Sequence, residues 1–268
     1  MPYTAEKRVV TDAIYSAQSE DPSSELELAL YHLDQNGHNP DELRRLLEGL
    51  AKNKPIARII GYIMVHGAKI MINDDVLHPG PETQALTWEV INHVRRSNAI
   101  DVLDMCCGSG AIGISVANNC RVQVTACDIS EAALNVARAN AVLNGVSVDF
   151  LKGDLFAPLE DRALFDVIVA NPPYVRTDEL DIQPDFVRDY APKLSIDGGE
   201  DGLMVHRRII ETASQYMRPM GVMFLECNDG QDKAISRLAK ATGWMIVECY
   251  LNRHSEVRSM CLKARLES

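Results

Sequence analysis

The chain has 268 residues, 46% of them hydrophobic and 24% charged, so it can bury a core sufficient for one large domain and a small companion. A formal net charge of -11 and a pI near 5.1 argue against a broad nucleic-acid footprint, which needs a basic surface. Seven cysteines, an odd number with no CxxC spacing, read as reduced core thiols rather than a disulfide framework.

Residues 1–53 are expected to form a helical N-terminal domain. Glu6 to Ala17 carries an apolar face, and Ser23-Ser24 with Glu25 and Glu27 starts a second helix through Leu33. Gly37-His38-Asn39-Pro40 breaks the chain before a charged amphipathic helix from Asp41 to Leu50. Such a unit serves either as a packing cap or as a recognition element for substrate. Met1 to Glu20 lacks a signal-peptide hydrophobic region and no segment has the apolar length of a membrane span, so a cytoplasmic protein without membrane contact is expected. Residues 54–84 read as a linker, in which Tyr62 to Leu77 alternates around Gly67 and Asn73-Asp74-Asp75 as a β-hairpin does.

Residues 85–268 carry the pattern of a doubly wound α/β domain. The apolar run Ile100 to Met105 is strand-like, stops in Gly108-Ser109-Gly110, and gives way to a helical pattern at Ala111. Glycine at 108 and 110 lets the backbone turn sharply and approach a ligand closely. A second strand, Arg121 to Cys127, ends in Asp128, where a carboxylate accepts from ribose hydroxyls or caps the helix beginning near Ser130-Glu131. A third, Ser147 to Leu151, precedes Gly153-Asp154-Leu155, and a fourth, Phe165 to Ala170, runs into Asn171-Pro172-Pro173-Tyr174. All four ends share the carboxyl edge of a parallel sheet, where ligands bind. The turn is not GxGxxG, which argues against NAD.

Arg176 to Pro192 is polar with two prolines and reads as a lid or substrate loop. Asp197-Gly198-Gly199-Glu200-Asp201-Gly202-Leu203 then starts a helix running to about Met217, its glycines serving a tight turn or touching substrate. His206, inside that helix, is a packing or solvated residue. Gly221 to Glu226, Trp244 to Tyr250 and Val257 to Leu262 supply the last strands, with a helix near Asp232 to Ala241. Cys106-Cys107 is no metal pair, because adjacent strand residues point to opposite faces and no ligand cluster follows.

Asp104-Met105-Cys106-Cys107-Gly108-Ser109-Gly110, Asp128, Gly153-Asp154 and Asn171-Pro172-Pro173-Tyr174 together resemble a class I S-adenosylmethionine (SAM)-dependent methyltransferase. More narrowly they resemble the HemK/PrmC group, which methylates a glutamine side-chain amide in polypeptide release factors. Lys54-Pro55-Ile56-Ala57-Arg58-Ile59-Ile60-Gly61, His78-Pro79-Gly80-Pro81-Glu82-Thr83 and the glycine-rich segment at 197–203 extend the resemblance from about Lys54 to the C-terminus. It implies a Rossmann-like seven-stranded sheet, SAM as cofactor, and a release factor-like protein as partner, while the departures from the group at Val65-His66 and Gly80 leave a small-molecule amine or amide as the other acceptor. The implied cofactor-binding residues are Asp104, Cys106, Gly108, Gly110, Asp128, Ile129, Asp154, Leu155 and Asn171, with no metal. Asp104 would meet the ammonium of the methionine portion or bond the amides of the glycine turn, and Asp154 would accept from the adenine amine or sit in a surface turn.

The implied catalytic residues are Asn171, Pro172 and Tyr174. An amide nitrogen is a poor nucleophile, so orientation and desolvation matter more than a strong base. The Asn171 side-chain oxygen and the Pro172 carbonyl would each accept one N–H of an incoming NH2, with the Tyr174 ring packing on the planar group. The same grip would also suit a cyclase in which SAM is itself the substrate, releasing methylthioadenosine and forming an azetidine amino acid. A non-catalytic SAM-binding module is a third reading. Three departures stand out: Val65-His66-Gly67 where the group carries Phe-Trp or Phe-Tyr before the glycine, Gly80 where it carries Arg, and Asn252-Arg253-His254-Ser255-Glu256 in place of a Gly-Arg-Asp turn. The first two are expected to alter the mouth of the site.

Overall fold

The computed structural model describes residues 2–16, 22–159, 164–252 and 254–264. Helices α1 (Pro2–Ser16), α2 (Pro22–Gln35) and α3 (Pro40–Leu50) begin the chain. The Asn39 side chain caps α3 by accepting from Asp41 N, and Pro40 stands at the first helical position, where its missing N–H costs nothing. Val10, Ile14, Ala29, Leu33, Leu46 and Leu50 close a small core with Ile56 and Ile59 of the short α4 (Ile56–Ile60). Ala17, the expected end of the first helix, lies outside the described residues.

Strands β1 (Tyr62–Val65) and β2 (Ala68–Met71) pair antiparallel, turning at His66 and Gly67, which both have positive φ. A lone two-stranded ribbon is marginal in water, and this one is held by helix α7 (Glu131–Asn144) through side-chain amides. Asn140 Oδ1 accepts from Met71 N at 2.8 Å while its Nδ2 donates to Met71 O and to Ser109 O. One turn along, Asn144 Oδ1 accepts from Lys69 N and its Nδ2 donates to Lys69 O. Residues i and i+4 of a helix and i and i+2 of a strand thus match, and two asparagines act as a substitute strand.

Helix α5 (Pro81–Arg96) starts inside the segment expected as linker. The large sheet follows: β3 (Asp101–Met105), β4 (Gln123–Asp128), β5 (Asp149–Lys152), β6 (Phe165–Ala170), β7 (Met217–Glu226), β8 (Trp244–Leu251) and β9 (Val257–Ala264). Its order is β5-β4-β3-β6-β7-β9-β8, parallel except where β9 pairs antiparallel with both β7 and β8. The expected seven strands are all present, each within a few residues of the sequence-based limits. Helix α6 (Ala111–Asn119), α7 and α5 lie among the connections, with α8 (Asp185–Arg188), α9 (Met204–Thr212) and α10 (Asp232–Ala241) later in the chain.

Strand alternation sorts the core onto two faces. Leu103, Met105, Ile168, Met223 and Leu225 pack with Ile209, Ile210 and Ile235 of α9 and α10. Val102, Val124, Val167, Val169 and Phe224 pack with Leu86, Val90, Ile112 and Val116 of α5 and α6. Each such fully buried side chain stabilises the fold by about 1.5–3 kcal/mol relative to exposure. Trp244, fully buried, satisfies its indole N–H on Ile210 O.

Asn140→Ala is expected to destabilise the protein by about 3 kcal/mol in urea unfolding, since it leaves buried backbone groups unpaired. Asn144→Ala, at the half-buried end of the helix, should cost about 1 kcal/mol. No measurable cost in either variant would show that the hairpin is held by its apolar face alone.

Candidate active site

Met105 lies between Cys127 and Ala170 in the parallel register, so the residues after β3, β4 and β6 emerge side by side. They line a cavity of about 320 Å3. Its walls include Cys106, Gly108, Asp128, Ile129, Asp154, Leu155 and Asn171, seven of the sequence-derived candidates. The Asp128 carboxylate holds the turn: Oδ2 accepts from Gly108 N at 2.8 Å and Oδ1 from Ser130 N at 2.9 Å. The cap of α7 is Ser130, whose hydroxyl accepts from Ala133 N, and Asp128 supports that cap rather than forming it. Burial raises the Asp128 pKa against the pull of these amides.

Other candidates stand elsewhere. Asp104 does not line the cavity; it is fully buried, and its Oδ2 accepts from Gly113 N at 2.8 Å in α6. Neither expected role is the one observed, since its partner is an amide within the helix and not one of the glycine turn. Burial pushes its carboxyl up to about 7. Gly110 shapes the turn with φ 77° and heads α6 without facing the cavity. Pro172 is buried, Pro173 lines the wall, and Tyr174 turns away to donate its hydroxyl to Glu226 Oε1 at 3.3 Å. The expectation of a Tyr174 ring facing the cavity is corrected: a phenol packed inside the protein needs a polar partner, and Glu226 is it. Asp154 bonds Arg208 Nη2 at 2.8 Å, an ion pair half exposed on both sides.

Several lining residues were invisible to sequence reasoning. Thr83 of α5 accepts from Asn171 Nδ2 at 3.0 Å, which fixes the Asn171 amide against the wall. Asp75, Val76 and Leu77 come from the hairpin exit, and Pro192, Leu194, Ser195, Met204 and Arg208 from the later loop and α9. Only the proline content of the loop signalled its covering role. Buried Arg58 ties these parts together, donating to Val76 O at 2.8 Å and Tyr190 O at 3.0 Å, while Lys54 stands over the Tyr190 ring. The glycine segment at 197–203 packs on the strand end: a Cβ at Gly202 would come within 2.5 Å of Tyr174 O, so no larger residue fits.

A larger cavity of about 680 Å3 adjoins the first, with Pro79 lining both. Leu28, Tyr31, Lys54, His78, Gly80 and Gln84 border it. Gly80 thus lines the larger cavity, but Val65 and His66 line neither. Val65 is core, and His66 Nε2 donates to Gln84 O while the ring stacks on Trp88. Asn252 closes its own turn by accepting from His254 N and Glu256 N; Arg253 lies outside the described residues.

The model of the methyltransferase small domain matches residues 87–200. Release factor glutamine methyltransferases from Thermodesulfovibrio yellowstonii and Bacillus subtilis are 37% and 33% identical, over 77% and 82% of this chain and 75% and 80% of theirs. The chain belongs to the HemK/PrmC family. A methyltransferase from Pyrococcus furiosus shares the fold at TM-score 0.56 and 17% identity, covering 84% of this chain and 98% of its own. A ribosomal protein L11 methylase from Lactobacillus delbrueckii subsp. bulgaricus does so at TM-score 0.54 and 18% identity, covering 71% and 82%.

As a member of this family the protein is a SAM-dependent methyltransferase with S-adenosylmethionine as its cofactor. The residues present fit it. No atom lies within 4 Å of where a Cβ on Gly108 would stand, so the glycine leaves a cradle in the cavity wall. The Asp128 carboxylate, which accepts from Gly108 N and Ser130 N, stands in the same wall and is of a type that accepts hydroxyls.

Asp128→Ala is expected to weaken S-adenosylmethionine binding by about 10- to 100-fold in titration calorimetry, the loss of hydrogen bonds to a charged group. Unchanged affinity would remove Asp128 from the cofactor site.

Proposed function

We propose that this enzyme methylates the side-chain amide nitrogen of a glutamine in a polypeptide release factor. The observation that carries the proposal is the state of Asn171. Its Nδ2 is committed to Thr83, so its Oδ1 is the end free to accept an N–H inside the cavity. The Pro172 carbonyl, next along the chain, is assigned the second N–H. Two acceptors grip a planar NH2 and hold its nitrogen lone pair toward the donor, which matters because that lone pair is delocalised and weak. S-adenosylmethionine supplies the electrophilic methyl group.

Binding and shielding fall to the chain's own residues. Asp128, Gly108 and Leu155 line the half of the cavity assigned to the cofactor, and Leu194, Met204 and Val205 give its rim an apolar character. The acceptor arrives through the larger cavity, whose volume of about 680 Å3 suits a short exposed loop rather than a folded surface. Helices α1 to α3, with Leu28 and Tyr31 on its border, take the role of recognition domain for the rest of the partner. The names carried by the relatives support the same acceptor. A small amine or amide is the second reading, favoured by Gly80, which leaves the mouth without a side chain. Nothing in the fold or the relatives supports cyclisation of the cofactor.

Purified enzyme, S-adenosylmethionine and a release factor with an accessible glutamine loop are expected to give S-adenosylhomocysteine and a gain of one CH2 on that glutamine by mass spectrometry. Asn171→Ala should lower kcat by about 100-fold while leaving cofactor affinity within a factor of about two. Turnover with small amides alone would favour the second reading. Methylthioadenosine as the product would sink methyl transfer altogether.

A further inference from the structure

The last residue of Asn171-Pro172-Pro173-Tyr174 is held by a side chain that the transfer reaction itself does not use. Gln231, at the head of α10, donates from Nε2 to Tyr174 O at 3.0 Å and to Gly202 O at 3.3 Å. Its Oε1 accepts from Asn228 N at 2.9 Å. The three partners lie in three different loops: after β6, before α9 and after β7. One side-chain amide thus ties the segment that carries Asn171 to the glycine segment and to the end of the neighbouring strand.

A primary amide has two hydrogens to give and one oxygen that accepts. Both Gln231 hydrogens are taken by carbonyls and its oxygen by an N–H, so only one orientation of the group satisfies all three partners. A flip would set its oxygen against two carbonyl oxygens. At the head of a helix a polar side chain commonly accepts from the first free amides, but Gln231 makes no such bond. Its side chain serves the loops rather than its own helix. Gly202 leaves room for this: a Cβ there would come within 2.6 Å of Gln231 Nε2 and 2.5 Å of Tyr174 O.

The clamp bears on the acceptor end of the site. Asn171 is fixed at one end of the motif by Thr83, and Tyr174 at the other by Gln231 through its carbonyl and by Glu226 through its hydroxyl. Between them stand two prolines, whose rings each fix a backbone dihedral. A displacement of Tyr174 is therefore passed along a stiff link to the Pro172 carbonyl instead of being absorbed. The cofactor end is built separately, with Asp128 holding Gly108 N and Ser130 N beyond β3 and β4.

We infer that Gln231 is a positioning residue of the transfer step: by clamping Tyr174 O it sets where Asn171 and the Pro172 carbonyl present their oxygens to the acceptor nitrogen. The inference deepens the proposed function and rests on its assignment of those two oxygens to the acceptor.

Two variants of similar size test it. Gln231→Glu keeps an oxygen for Asn228 N but, once ionised, turns its other oxygen on two carbonyls; Gln231→Met keeps the length and loses every hydrogen bond. Titration calorimetry with S-adenosylmethionine gives the affinity and the number of competent sites, and kcat is expressed per competent site. With release factor as acceptor, kcat per site is expected to fall about 10- to 100-fold in both variants, because misplacing a gripping group costs rate. Cofactor affinity should stay within a factor of about two and KM within about three, the split that marks an interaction made in the transition state. With no acceptor present, the Asn171 side-chain amide signals in a proton–nitrogen correlation spectrum, assigned by their loss in Asn171→Asp, should shift in both variants.

An unchanged kcat per site in both variants, or Asn171 signals that stay in place, would overturn the inference. So would a cofactor affinity that falls in step with kcat, or a loss confined to the number of competent sites, since either marks a general loosening of the fold. Should Gln231→Glu fail to fold, Gln231→Met decides alone. A release factor left unmethylated by the unaltered enzyme would remove the acceptor assignment instead, and the Asn171 signals, read without any acceptor, then decide on Gln231.

Discussion

Parallel pairing of β3 with β4 and β6 is the constraint on which the active site depends. Strand-to-strand hydrogen bonds fix Met105 opposite Cys127 and Ala170. That register brings a glycine turn, an aspartate and an asparagine, far apart in the chain, to one edge of the sheet. A one-residue slip would send every side chain of a strand to the opposite face, and Asn171 would lose both Thr83 and the cavity. The apolar layers on both faces specify the register, because Leu103 and Val102 belong to different cores. Catalytic geometry is in this sense a by-product of core packing.

Much of this was legible in the sequence, for a physical reason. Short branched runs ended by glycine or proline mark buried strands, and such strands in a doubly wound fold place their ends together. Gly108, Asp128 and Asn171 follow from that alone. Thr83 and Glu226 do not, since their contact with Asn171 and Tyr174 spans long sequence separations and leaves no local pattern. Tyr174 was assigned the right place and the wrong direction: a motif tells where a residue sits, whereas its hydrogen-bond partner decides where the ring points. His66 is a similar case. Its position before the hairpin glycine suggested the mouth of the site, yet the Gln84 carbonyl and the Trp88 ring draw it to the far side.

Two carboxyls, Asp104 and Glu226, are buried on either side of the parallel strands, each short of a full set of partners. An ionised carboxylate in such a place is costly, and its neighbours set how costly. Asp104 accepts from Gly113 N in α6, whereas Glu226 accepts from the Tyr174 hydroxyl after β6. The fold tolerates both because the apolar cores around them are extensive.

The asparagine pair on α7 has a consequence beyond holding the hairpin. A strand with free N–H and C=O groups along one side is a template for any passing extended chain, and intermolecular pairing at such edges is a common route to aggregation. Asn140 and Asn144 occupy the polar groups of Met71 and Lys69 on the side of β2 away from β1. A helix cannot add a further strand, so the ribbon ends there. That edge is thereby closed to further strand pairing by two side-chain amides, without a proline or a bulge in β2.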